Sequence, residues 1–271
     1  MAAHARGTRG VVRVRLTVIG CAGSFPSPDS PASSYLVEHA RTQLLLDLGN
    51  GAFGSLLGQT DPRSIDAIII SHLHADHCAD LVPLYVLLKY GPIPLPRKIP
   101  VYGPRGLAER IAGMYSAAGA DLTDIFEFRT LRAQQPVDIG SMTVLPAIVA
   151  HPGESFAVRI ATPSSTLVYS GDTAECDALV TLSAGADIAL FEASCLESAT
   201  PADAAVLGMH MSAAGAARVA RRAGATSLVL THTVQWQRVD VDAQQAALVD
   251  EARRHFGGEV TLASVGGSWE F

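Results

Sequence analysis

Lysine is nearly absent from this chain. Lys89 and Lys98 are the only lysines among its 20 basic residues, which face 26 acidic ones for a net charge of −6. The arginines are dispersed and form no stripe along the sequence. That argues against extended nucleic-acid binding, which needs a positive footprint. Cysteine is scarce as well. Cys21, Cys78, Cys176 and Cys195 are scattered and form no CxxC pair, so they read as reduced thiols of a cytoplasmic protein. No apolar run approaches the ~18 residues of a membrane span. The stretch 1–10 carries Arg6 and Arg9 with no apolar segment after them, so it reads as a flexible tail and not as a signal peptide. No linker rich in proline, glycine and serine divides the remainder. With 48% hydrophobic residues, 11–271 is expected to form one domain around a large core.

What the chain does have is a set of metal-type residues at the ends of apolar runs. His72-Leu73-His74-Ala75-Asp76-His77 follows Ala67-Ile68-Ile69-Ile70-Ser71, which has the β-branched character of a buried strand. His151 follows the run from Met142 to Ala150, Asp172 follows Thr166 to Gly171, and His232 follows Ser227 to Thr231. A lone histidine beside an apolar run is usually a satisfied core residue. Four strand ends that each finish in histidine or aspartate are hard to explain by packing. Imidazole nitrogen and carboxylate oxygen are the donors that catalytic zinc and related divalent ions take. Alternation turns His72 and His74 to one side, while the turn after them lets Asp76 and His77 face a second position. One short segment can thus begin two metal sites.

On these motifs the chain resembles the metallo-β-lactamase-fold hydrolases, from about Val14 to its C-terminus. The resemblance implies an α/β fold, the four-layer αββα sandwich, and two divalent metal ions. Zinc is the expected metal, and manganese or iron suits the same donors. It places His72, His74 and His151 on the first ion, Asp76, His77 and His232 on the second, and Asp172 between them. Asp76 would also orient or deprotonate the attacking water. Members with a redox di-iron site replace the second histidine of the loop by a carboxylate, so His74 points to hydrolysis. Asp172 stands where true β-lactamases usually have cysteine.

The ligands alone do not separate phosphodiesterases from lactonases or thioesterases. Two further residues favour the phosphodiesterase branch that includes ribonuclease Z. His210, in Met209-His210-Met211-Ser212, matches a histidine that donates to the scissile phosphate there, and Glu192 matches the acid that orients it. The long glycine- and proline-rich arm with which many ribonuclease Z enzymes grip tRNA has no counterpart between His151 and Asp172. The segments 20–24, 28–36 and 151–156 are similar to actinobacterial cyclic-nucleotide phosphodiesterases. The expectation is therefore a small anionic phosphodiester, 3′,5′-cAMP in particular, with ribonuclease Z-like cleavage or lactone and thioester hydrolysis as alternatives. Bound dications would make such an anion compatible with an acidic chain. Related phosphodiesterases imply a homodimer.

Other elements are assigned from local signals. Ala79–Tyr90 reads as an apolar helix, either a dimer face or a core element, ended by Pro92, Pro94 and Pro96. A second helix runs from Pro104 to about Ala118. Ser212 should cap a helix stopped by Gly224, and Asp242 another that reaches His255. The strand at 260–263 is expected to close the chain. The loop from Gly20 to Ser34 either lets backbone N–H groups approach an anion or only shapes a turn. Trp236 and Arg238 suit base and phosphate contacts, or burial. Cys78 reads as a bystander to the metals, and His4, His39 and His255 as surface residues.

Overall fold

The computed structural model describes residues 12–201, 204–234 and 240–271. The tail at 1–10, His4, Trp236 and Arg238 lie outside these residues. The first sheet is built from β1 (Val14–Gly20), β2 (Ser34–His39), β3 (Thr42–Leu46), β4 (Ala67–Ile69), β5 (Ile99–Gly103) and β6 (Phe126–Thr130). The second contains β7 (Val137–Ile139), β8 (Met142–Ile148), β9 (Phe156–Ala161), β10 (Thr166–Tyr169), β11 (Ile188–Glu192), β12 (Ser227–Thr231) and β13 (Glu259–Leu262). The chain then returns to the first sheet as β14 (Ser268–Glu270), which pairs antiparallel with β1. The strand orders are β14-β1-β2-β3-β4-β5-β6 and β13-β12-β11-β10-β9-β8-β7.

Alternation along the strands explains why both sheets are apolar on both faces. In β3, Leu44 and Leu46 enter the core between the sheets, while Leu45 faces outward. In β11, Ile188 and Leu190 point in, and Ala189 and Phe191 point out. A strand buried on both sides needs a continuous apolar run. The outward residues of the first sheet are covered by α1 (Ala52–Leu57), α3 (Leu81–Tyr90) and α4 (Leu107–Tyr115). Those of the second are covered by α5 (Asp177–Leu182), α6 (Ala213–Ala223) and α7 (Val241–Arg253). Three apolar layers between four structural layers make the αββα sandwich. The short α2 (Ala75–Cys78) belongs to the histidine-rich loop.

Each sheet is half hairpin and half parallel. Strands β3 to β6 run parallel, as do β10 to β13. Their carboxyl ends share one edge of the sandwich, where open α/β sheets place their ligands. Register then decides what meets there. Leu46 pairs with Ile69, and Glu192 with Thr231. Asp47 therefore emerges beside the histidine-rich loop, and Glu192 beside His232.

Several local expectations change. Asp240 caps α7, its side chain accepting from the Ala243 N–H at 3.1 Å, because the helix starts two residues earlier than read; Asp242 lies in the first turn. Ser212 and Gly224 flank α6 as cap and stop, with Gly224 in the left-handed region. Helix α4 begins at Leu107 and ends at Tyr115, because Gly106, at φ +84°, absorbs the turn after Pro104. The chain closes on β14 and not on β13. His39 is buried, with Nδ1 2.8 Å from Ser141 Oγ, and His255 is half-buried. In α3, Leu81, Leu84, Tyr85 and Leu88 join the outer core, while Val86 and Tyr90 are exposed. Among the described residues no helix is long and apolar enough to cross a membrane.

Candidate metal centre

Two groups of donors overlap at the shared strand edge. His72, His74, His151 and Asp172 form one, and Asp76, His77, Asp172 and His232 the other; within each, donor atoms lie within 4.8 Å of one another. Nε2 of His72 and of His151 lie 3.0 and 3.3 Å from Nδ1 of His74. In the second group, His77 Nε2 is 3.3 Å from His232 Nε2, and Asp76 Oδ2 is 3.4 and 3.3 Å from these two nitrogens. Asp172 lies between the groups. Its Oδ2 is 3.6 Å from His72, and its Oδ1 is 3.3 Å from both His77 and His232.

This arrangement fits divalent cations. Asp172 Oδ1 is buried without a hydrogen-bond partner among the described residues. The two imidazoles beside it are engaged through their other nitrogens. His77 Nδ1 is 2.7 Å from Asp47 Oδ2, and His232 Nδ1 is 3.2 Å from Ser194 Oγ. On the neutral rings those contacts turn unshared pairs at Nε2 towards Asp172. Lone pairs and carboxylate oxygens facing one point in a buried space repel unless a cation joins them. All the donors are nitrogen or oxygen, which suits zinc, manganese and iron alike.

Behind the donors is a carboxylate that sequence reading passes over. Asp47, at φ +55° and fully buried, accepts from Ser71 N, Ser71 Oγ and Tyr169 Oη at 2.7, 2.8 and 2.6 Å, besides the His77 ring. It ties the histidine loop to both sheets. The signal for it was the one used elsewhere, an acidic residue ending the apolar run Leu44-Leu45-Leu46. Ser71, Thr173 and Ser194 were also missed, because short polar residues in loops carry no distinguishing pattern, and Tyr169 because it reads only as the last residue of a buried strand.

The loop from Gly20 to Ser34 packs against the centre. Ser24 N–H donates to Asp76 Oδ2 at 2.9 Å. Gly23 has no space for a side chain, since a Cβ would come within 2.7 Å of His232 Nδ1. His232 itself has φ +53°, a left-handed conformation of the kind that clusters at functional sites. Cys78 is buried, with its thiol pushed up to about 12 by that burial, and lies in neither donor group.

His210 and Glu192 meet beside the second group. His210 Nδ1 is 3.0 Å from Glu192 Oε2, and Asp172, Glu192, His210 and His232 again have donor atoms within 4.8 Å of one another. Burial pushes the Glu192 carboxyl up, and it also disfavours a charged His210. The hydrogen bond and the carboxylate charges outweigh the second effect and hold His210 above its ordinary value. Thr173 N and Ser194 Oγ donate to Glu192, and the His210 ring donates to it through Nδ1, which leaves Nε2 of His210 free for another partner.

Without bound cations the two groups differ in proton affinity. Burial opposes charge on His77, but the Asp172 and Asp47 carboxylates outweigh it and raise that ring well above the usual imidazole range. His232 is likewise raised against its burial, chiefly by Asp172. His72 is lowered well below that range, first by burial and then by His77, and burial lowers His151 too. Asp172 is held well below the carboxylate range despite full burial, by the charges of His232, His77 and His72.

Fold and donor chemistry together define a metallo-hydrolase. The β-lactamase superfamily domain matches residues 42–233, and the chain belongs to that family. It is 42% identical over 257 residues to an uncharacterized protein of Mycobacterium tuberculosis, covering 92% of this chain and 89% of that one. It is 31% identical to the probable metallo-hydrolase YhfI of Bacillus subtilis, over 95% of this chain and 100% of the relative. Ribonuclease Z of Mycobacterium bovis is 27% identical, over 93% and 96%. The crystal structure of YhfI, a metallo-β-lactamase fold protein, superposes with a TM-score of 0.82 at 29% identity, over 96% of this chain and 100% of that one. Human tRNase Z, short form, shares the fold with a TM-score of 0.74 at 24% identity, over 94% and 98%.

Proposed function

We propose that this hydrolase is a dinuclear metal-dependent phosphodiesterase that cleaves small phosphodiesters, 3′,5′-cAMP first among them, to 5′-monophosphates. In this reading His72, His74 and His151 hold one divalent ion, Asp76, His77 and His232 the other, and Asp172 both, with zinc the expected metal. Two such ions supply Lewis-acid charge and a lowered pKa for water. Asp76 orients the attacking water and accepts its proton. Asp47 holds the His77 ring in place, and the Met209 carbonyl, 2.9 Å from His151 Nδ1, does so for His151.

The observation that carries the phosphodiester reading is the His210–Glu192 pair. A histidine ring held by a buried carboxylate beside the metal donors can give a hydrogen bond or a proton to a phosphoryl oxygen as it gains negative charge. The similarity to ribonuclease Z supports the same bond class. The connection between β9 and β10 is only 162–165, with no room for a tRNA-gripping arm, and this supports a small substrate. The deciding experiment is turnover of 3′,5′-cAMP by metal-analysed protein, with Asp76→Asn as control. We expect 5′-AMP that disappears in the variant. No product from a protein with both metals bound would overturn the cAMP reading. Assembly as a homodimer is part of the same proposal, and sedimentation as a monomer would remove it.

A further inference from the structure

We propose that the cleft beside His72 and His74 continues as a track for a second phosphate, walled by Arg105, Arg110 and Arg132. A cavity of about 360 Å³ is lined by His72, His74, Arg105, Arg110 and Glu154. A second, of about 390 Å³, shares Arg105 and Glu154 with it and extends to Arg132. Each exceeds the ~300 Å³ at which small-molecule sites begin. Together they lead away from the first donor group and not from the buried one.

The charge of this groove is opposite in sign to that of the chain as a whole. The groove holds three guanidinium groups and one carboxylate, in a chain of net charge −6. Glu154 is already engaged, its Oε2 2.7 Å from Arg105 N and its Oε1 3.1 Å from Arg105 Nη2. Arg105 is therefore compensated and anchored. Arg110 and Arg132 are exposed, and among the described residues neither side chain has a hydrogen-bond or ion-pair partner. Guanidinium groups without carboxylate partners match phosphate oxygens, which they can bind through two donors. A cyclic mononucleotide has one phosphate, which the proposed metal centre would take. The track thus extends the substrate class to phosphodiesters that carry a neighbouring phosphate, such as a 5′-phosphorylated dinucleotide.

This inference rests on the phosphodiesterase reading for the scissile bond only. The test compares pApA with ApA, which differ by the terminal phosphate alone, in wild type, Arg110→Gln, Arg132→Gln and Arg41→Gln. Arg41 is exposed in the β2–β3 turn, at the far end of the sheet from the donors, so it controls for net charge. Wild type should prefer pApA. Arg110→Gln should lower the kcat/KM ratio of pApA to ApA about tenfold, through KM, as expected for one lost charge-assisted contact. Arg41→Gln should leave the ratio unchanged. Equal kcat/KM for both dinucleotides in wild type, or a ratio unmoved by both groove variants, overturns the track. If neither dinucleotide nor cAMP is cleaved, the phosphodiesterase reading fails by itself. Calorimetric binding of pApA and ApA to chelator-treated protein then decides the track, with tighter binding of pApA lost in Arg110→Gln in its favour and equal affinities against it.

Discussion

The two donor groups use the same side-chain types but are held in different ways. Asp76, His77 and His232 are all buried, and each is fixed from behind, by Ser24 N, Asp47 and Ser194 Oγ. In the other group His72 is buried as well, but His74 is exposed and His151 half-buried. The Met209 carbonyl steadies His151, and among the described residues no carboxylate outside the donor groups is hydrogen-bonded to His74. One group is built into the core and the other into the wall of a cleft. For the proposed phosphodiesterase, the first kind of support would hold ions and the second would admit the substrate.

The sharpest way to break this difference is Asp47→Ala. It leaves the His77 ring, the Tyr169 hydroxyl and both Ser71 donors without their common acceptor. We expect a loss of about 3–5 kcal/mol, the cost of breaking a buried charged network. The urea midpoint and metal content should fall together, since ligand binding is coupled to folding. An unchanged midpoint would show that Asp47 is dispensable.

His210→Ala should act on rate alone. Turnover of a phosphodiester should fall by about 10²–10³-fold with both metals retained, as for loss of a group that stabilises charge in the transition state. Normal turnover would remove His210 from the mechanism. His77→Ala against His74→Ala then compares the groups directly. His77→Ala should lose metal and stability. His74→Ala should lose metal while shifting the unfolding free energy of the metal-free chain by no more than about 0.5 kcal/mol, the scale of exposed substitutions. Equal destabilisation of the metal-free chains would erase the distinction between core and cleft.

The smallest effect is one of protonation in the metal-free protein. His77 and His232 have raised folded-state values. Their stabilisation is complete below the unfolded imidazole value of about 6.5 and is lost as pH rises through the folded values. His72 and His151 have lowered values, so the unfolded chain binds protons more readily. Their contribution weakens stability as pH falls below about 6.5, down to the folded values. Imidazole titration by NMR after chelation should show the first pair still protonated when the second is neutral. The opposite order would contradict the electrostatics described here.

Much of this was readable in the chain because the relevant signals are local. Ala67–Ile70 and Thr166–Tyr169 announce strands through continuous apolar runs, and polar residues at their ends stand out against that background. Ser212 and Gly224 mark α6 through cap chemistry that involves only neighbouring residues. Asp240 was harder, because two aspartates two positions apart compete for one cap. β6 and β7 were missed because edge strands are short and carry mixed residues. β14 was missed because its pairing with β1 joins the two ends of the chain.

The sequence by itself determined which side chains are available as donors and that each follows a strand, because strand periodicity and donor chemistry are written in adjacent residues. Which donors share a point was implied in advance by family resemblance alone; its physical cause is tertiary, since Glu192 and His210, or His72 and His151, are brought together by register and sheet packing. Only the tertiary structure decided that Asp47 lies beneath His77, that Gly23 lies against His232, and that arginines far apart in sequence converge on one groove. Those outcomes depend on long-range contacts, whose physical basis is the burial of two double-faced sheets against each other.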